Sequence, residues 1–168
     1  MDFIKIKKEE FDAVYRAMQS SFVLDEIRDP GDALAVLGNE AYSIYHIVEQ
    51  GERIGFISLW DLGDFIFAEH FVIYELFRNQ GFGGKAIDAV TERFGAVVLE
   101  AEPPETVIAK RRIGFYRRHG FVCNDIAYLQ PSYRQGGDAV PLVLMSYRRP
   151  LSDPQSSVAR IYQTVYQI

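Results

Sequence analysis

The segment 78–84, Arg-Asn-Gln-Gly-Phe-Gly-Gly, lies between an apolar run that reads as a strand, Phe65 to Ile73, and a stretch of helical periodicity, Lys85 to Phe94. A helix start leaves its first four N–H groups without partners and carries about half a unit of positive charge. Glycines let the backbone approach an anion closely. The loop therefore reads as a pyrophosphate cradle, flanked by the cations Arg78 and Lys85. Its spacing is not that of the common nucleotide loops. A Walker loop needs a Ser or Thr after its Gly-Lys, and none follows here. A dinucleotide fingerprint needs G-x-G-x-x-G after a first strand, but Gly81-Phe82-Gly83 leads to Ala86 and follows three antiparallel-looking strands. The structural alternative is an ordinary glycine-rich turn from strand to helix.

The elements that must hold this loop are legible from periodicity. Phe3 to Ile6 alternates as a first strand. Phe11, Val14, Tyr15, Met18 and Phe22 mark one face of a helix over 9–22. Residues 25–32, with Pro30-Gly31, read as a broken loop before a short helix from Ala33 to Leu37. Tyr42 to Val48 and Arg53 to Trp60 read as a hairpin. Phe65 to Ile73 makes the third strand of that block, with Phe65, Phe67, Glu69, Phe71 and Ile73 predicted on one face. Ala96 to Leu99 is a short strand, and Thr106 to His119 is a helix with Gly120 as its C-terminal cap. Phe121 to Leu129 and Val140 to Tyr147 are strands, and Val158 to Tyr166 reads as a last helix.

The chain of 168 residues fits one domain. Apolar residues are 48% and charged residues 24%, an ordinary globular balance. The longest uncharged run, Ala139 to Tyr147, is far short of a membrane span. The first ten residues have no apolar core, so no signal peptide is read there. A net charge of −5 argues against general nucleic-acid binding, which is driven by Lys and Arg. One cysteine, Cys123, makes no internal disulfide, and the cytoplasm is the expected compartment. His46, His70 and His119 are too scattered for a metal pattern, so no metal is expected.

Arg78-Asn79-Gln80-Gly81-Phe82-Gly83 resembles the R/Q-x-x-G-x-G/A signature of the GNAT N-acetyltransferase superfamily. Phe115-Tyr116-Arg117-Arg118-His119-Gly120-Phe121 is similar to that family's second motif, and Arg53 to Ile57 looks like its third strand. The resemblance runs from Phe3 to about Arg148. It implies a mixed, mostly antiparallel α/β (α+β) sheet flanked by helices and splayed between its fourth and fifth strands. Residues 1–150 would form a single acetyl-CoA-binding domain, with 151–168 an extension packing on it or on a partner. The pantetheine of acetyl-CoA would pair with Phe71, Val72 and Ile73. Its pyrophosphate would sit on Asn79, Gln80, Gly81, Phe82, Gly83 and Gly84, with Arg78 and Lys85 beside it. Two positions depart from the family's pattern: Glu75 stands where many relatives have Pro, and Ala109 where many have a cofactor-contacting Asn.

The implied reaction is N-acetylation of a primary amine by direct attack in a ternary complex. A non-catalytic acyl-CoA-binding regulatory module is the alternative. A lysine-type amine, with a pKa near ~10.4, must lose a proton first. Tyr116 is implied as the acid near the departing sulfur. Glu69 is the candidate base, since an acid among Phe65, Phe67, Phe71 and Ile73 has its pKa raised if buried. His70, expected on the opposite face, is in reserve. Cys123 reads as a structural thiol. Lys110, Arg111, Arg112, Arg117 and Arg118 read mostly as a solvated face. The resemblance implies that the segment with Asp25, Glu26, Asp29 and Asp32 helps form the acceptor site, where its charge would suit a cationic amine. A homodimer is an open expectation, and the acceptor's identity is not legible.

Overall fold

In the computed structural model, which describes residues 1–134 and 136–168, eight strands form one sheet ordered β1-β2-β3-β4-β5-β8-β6, with β7 paired to β8. The strands are β1 (Asp2–Lys5), β2 (Tyr42–Glu49), β3 (Glu52–Asp61), β4 (Ile66–Ile73), β5 (Val97–Ala101), β6 (Phe121–Cys123), β7 (Tyr128–Gln130) and β8 (Val140–Tyr147). The helices are α1 (Phe11–Ser21), α2 (Pro30–Val36), α3 (Phe82–Phe94), α4 (Val107–Arg118) and α5 (Pro154–Ile161). A wider π-type turn, Tyr162–Tyr166, continues α5. Pro30 is the first residue of α2 rather than a breaker, because proline's missing N–H costs nothing at that position. The expected strand 121–129 is instead two short strands, both borne by β8.

Alternation along the strands sorts their apolar side chains onto two faces. Phe56 and Trp60 of β3, Val98 of β5 and Leu144 of β8 face α1, α2 and the C-terminal segment. Ile57, Leu59, Leu99 and Met145 face α3 and α4. Trp60, Phe56 and Phe67 are fully buried, each contributing about 1.5–3 kcal/mol by leaving water. Ile161 and Val165 are buried on the first face, so the C-terminal segment is part of that core.

Two irregularities in the sheet shape everything that follows. First, β4 and β5, a parallel pair, are in register only from Ile66–Val97 to Ala68–Leu99, and beyond that point they part. Second, β3 and β4 carry a bulge. Ser58 pairs with His70 and Leu59 with Ala68, so Glu69 is the extra residue. A bulge inverts the parity of a strand from that point onward. Phe67 therefore packs on the α1 side, while Phe71 and Ile73 pack on the α3–α4 side. The single-face pattern expected for Phe65 through Ile73 does not occur. Glu69 and His70 also come to the same side, with His70 Nδ1 at 3.4 Å from Glu69 Oε2, where opposite faces were expected.

Candidate active site

Where β4 and β5 part, a cleft of about 580 Å³ opens. Its walls are Phe71, Val72 and Ile73 of β4, Leu99 to Ala101 of β5 with Glu102 just after it, Tyr116 and Arg112 of α4, and Ile87 of α3. Phe22 and Glu26 close it from the segment after α1. Backbone alternation divides the β4 groups between the two sides. Tyr74 N donates to Ile54 O on β3, which turns the polar groups of Val72 to β3 as well and those of Phe71 and Ile73 to the splay. Arg78 Nε donates to the Ile73 carbonyl at 2.9 Å, fixing the mouth of the cleft.

Below the mouth, Asn79 (φ 60°) and Gly81 (φ 81°) adopt left-handed backbone and bring the chain into the first turn of α3. The amides of Phe82, Gly83 and Gly84 precede the first intrahelical bond, which Lys85 N makes to Gly81 O. They form the positive end of a 13-residue helix. Gln80 and Lys85 play separate parts, and Gly84 has a second one. Gln80 Nε2 donates to Leu76 O, bracing the preceding turn. Lys85 lies over the Phe82 ring with its ammonium 3.7 Å from Glu49, away from the cradle. Gly84 serves helix packing, since a Cβ there would come 2.8 Å from the His119 ring.

Two carboxylates stand on the α1 side of the cleft, in opposite environments. Glu69 accepts from Arg28 Nη1 at 2.6 Å and from the Tyr133 hydroxyl, and Ser58 Oγ lies 3.4 Å from its second oxygen. Its side chain is 2% exposed. Burial opposes ionisation, but the Arg28 guanidinium, with His70 and Tyr133 adding to it, holds the carboxyl well below the usual carboxylate range. Arg28 also donates to Val165 O and lies over the Trp60 and Tyr133 rings. Glu69 is therefore a fixed, fully engaged anion. The expectation that burial would raise its pKa is overturned by a cation 41 residues away in sequence.

Glu100 was not singled out by sequence reasoning. It is the β5 residue just past the last β4–β5 pair, and it faces the cleft. Burial pushes its pKa up to about 7, with a further rise from the negative charge of Glu69. The hydroxyls of Tyr128 and Tyr166, which both donate to it, offset part of this. Two neighbouring carboxylates whose environments drive them apart mark an assignment of acid–base roles. Tyr116 lines the same cleft from α4, 9% exposed. Burial raises its pKa to about 12, so it is a neutral O–H donor.

The remaining candidates are plainly placed. Ala109 is buried in packing and does not line the cleft. Arg112, three residues on, does line it, paired with Glu102 at 2.7 Å. Of the four acids after α1, Asp29 pairs with Arg134, and Glu26 is the one that lines the cleft. Cys123 is a half-buried thiol with Arg117 3.5 Å away.

The family description "Acetyltransferase (GNAT) domain" matches residues 40–123, the span from β2 through β6. A solved structure, a candidate GNAT-family acetyltransferase from Bacteroides thetaiotaomicron, superposes with a TM-score of 0.90 at 30% identity over 100% of this chain and 99% of that one. The chain belongs to the GNAT acetyltransferase family. The candidate acetyltransferase YjbC of Bacillus subtilis is 28% identical over 109 residues, 64% of this chain. The match spans about half (55%) of that relative's length. A chimera built on the spermidine N-acetyltransferase SpeG of Vibrio cholerae superposes at TM-score 0.66 over 88% of this chain and 96% of that one. Its identity is 12%, a likeness of fold.

GNAT acetyltransferases use acetyl-CoA, and the residues here fit it. The cleft opens along free strand edges, and the glycine turn beneath presents helix-start amides to an anion. No helix among the described residues is long and apolar enough to cross a membrane.

Proposed function

We propose that this GNAT acetyltransferase acetylates a primary amine by direct attack in a ternary complex, with Glu100 as base and Tyr116 as donor to the departing sulfur. The observation that carries this reading is the convergence of Glu100 and Tyr116 on one cleft, at the point where β4 and β5 part. Acetyl-CoA supplies a thioester carbonyl open to attack by a neutral amine. Phe71 and Ile73 hold the pantetheine by their splay-facing backbone, and the amides of Phe82, Gly83 and Gly84 hold the pyrophosphate. Glu100, half ionised near pH 7, takes a proton from the acceptor's ammonium directly or through one water, in the range where general bases work best.

Tyr116 donates a hydrogen bond to the developing thiolate. Full transfer of its proton to a thiol of pKa near ~8.5 is uphill from about 12. As the tetrahedral adduct collapses, the nitrogen gives its second proton to solvent, and the thiolate leaves stabilised by the O–H and is protonated by solvent. Glu69 keeps a fixed negative charge behind the site. Arg28 neutralises that charge, so it is Glu26, on the cleft wall, whose carboxylate favours a cationic amine.

The test is incubation with acetyl-CoA and a panel of primary amines: amino acids, polyamines, aminoglycosides and peptides with free N-termini. CoA release and mass-spectrometric detection of the amide are the readouts. Amide formation in step with CoA release is the expected result. Tight acetyl-CoA binding without transfer to any amine would support the regulatory-module reading instead.

A further inference from the structure

We propose that Tyr166, delivered by the C-terminal segment, is a positioning residue that sets the orientation and the working pH of the Glu100 carboxylate. This rests on the reading of Glu100 as base. The Tyr166 hydroxyl lies 3.0 Å from Glu100 Oε1 and 3.1 Å from Oε2, spanning both oxygens. Tyr128 donates to Oε1 alone. Among the described residues Tyr166 is therefore the one group on Oε2, and no cation pairs with this carboxylate. A hydroxyl bridging both oxygens fixes the rotation of the carboxylate plane, and by donating it favours the ionised form.

The segment that carries Tyr166 is anchored as a working part of the site. Ile161 and Val165 are buried to 1% exposure or less. Val165 O accepts from Arg28 Nη2 at 2.7 Å, and Arg28 is the residue that holds Glu69. Arg160 Nη1 donates to Leu62 O at 2.9 Å. The Tyr166 ring stacks on Tyr133, with centroids 5.0 Å apart, and Tyr162 packs between Tyr128 and Tyr166. Tyr166 ends a π-type turn, a geometry that recurs at functional sites because it re-aims the side chains after the inserted residue. Val158, Tyr162 and the Tyr166 ring also pack on the core that buries Ile161 and Val165. Packing needs only the ring, and the hydroxyl is aimed at both oxygens of the cleft carboxylate.

The groups that face Glu100 from the surrounding elements are Glu69 and His70 of β4, Tyr128 of β7, Tyr133, and Tyr166 itself. Arg112 of α4 shares the cleft but is engaged by Glu102. Glu69 and the tyrosines keep their charge states near neutrality. A hydroxyl donor favours the ionised carboxylate, so removing it moves Glu100 upward.

The test is the pH dependence of kcat for wild type, Tyr166→Phe and Glu100→Gln, together with a carbon-13 NMR titration of the Glu100 carboxyl in wild type and Tyr166→Phe. Phenylalanine keeps the ring stack and the buried anchors. Tyr128→Phe, which deletes the other donor, serves as the comparison variant. The expected result is that Tyr166→Phe raises both the ascending limb of kcat and the Glu100 titration by about one pH unit, with acetyl-CoA affinity unchanged. Superimposable profiles for wild type and Tyr166→Phe, with activity lost in Glu100→Gln, would overturn the role of Tyr166 and leave the base assignment standing. Activity and an acidic limb retained in Glu100→Gln would overturn both.

Discussion

Replacing Glu100 with glutamine should remove a pH dependence from the stability of this protein. In the native state the carboxyl titrates at about 7, against 4.5 for an ordinary glutamate. Below pH 4.5 it is protonated in both the folded and unfolded chains. Between 4.5 and about 7 the native state retains a proton that the unfolded chain has released. Stability therefore falls as pH rises across this window and is flat above it. The full difference is about 3 kcal/mol, of which some 2–3 kcal/mol develops between pH 5 and 8. Glutamine is neutral throughout and carries no such loss. Urea denaturation of wild type and Glu100→Gln at half-unit steps from pH 5 to 8 reads the quantity directly. The variant should gain on wild type steadily across the range and stop gaining near pH 8. Groups that do not interact with Glu100 titrate equally in both proteins and cancel in the difference. A difference that stays constant within ~0.5 kcal/mol from pH 5 to 8 would refute a raised Glu100 pKa, and with it the contrast between the two carboxylates.

Three further outcomes follow from the same geometry. Arg28→Met strips the cation from a carboxylate whose side chain is 2% exposed and should cost about 3–5 kcal/mol in chemical denaturation. Adding Glu69→Leu should restore much of that loss, and a cost under ~1 kcal/mol for the single variant would contradict the buried pair. Gly81→Val forces a β-branched residue into left-handed backbone at φ 81°, a strain of about 1–3 kcal/mol. It should weaken acetyl-CoA binding, read by calorimetry, while the fold persists. Tyr116→Phe should lower kcat with little change in acetyl-CoA affinity, measured in steady state and by calorimetry.

What could be read from the sequence was what depends on neighbours along the chain. The glycine turn at 81–84 and the helix ending at Gly120 each carry their own local chemistry, and both lie where expected. The splay of β4 from β5 followed from the motif that resembles the family, and the pairing stops at Ala68–Leu99 accordingly. The direction of Glu69's pKa shift and the presence of Glu100 in the cleft are not legible, because both environments are assembled from a distance. Arg28 reaches Glu69 from 41 residues upstream, while Tyr128 and Tyr166 reach Glu100 from 28 and 66 residues downstream. Nothing in Val-Val-Leu-Glu-Ala announces such partners. The bulge at Glu69 is equally silent, since alternating apolar residues look the same with or without an extra residue in the ladder. Its effect was to put His70 beside Glu69 rather than behind it.

The most direct measurement is the turnover of Glu100→Gln beside its affinity for acetyl-CoA, once an acceptor amine is in hand. The acetyl-CoA Kd should stay near the wild-type value, since Glu100 is not among the groups proposed to hold the cofactor. The kcat should be lower by ~10²–10⁴, the usual contribution of a positioned base. A variant that binds acetyl-CoA normally and turns over at the wild-type rate would contradict the claim that this carboxylate, held between two tyrosines where β4 and β5 part, takes the proton from the attacking amine.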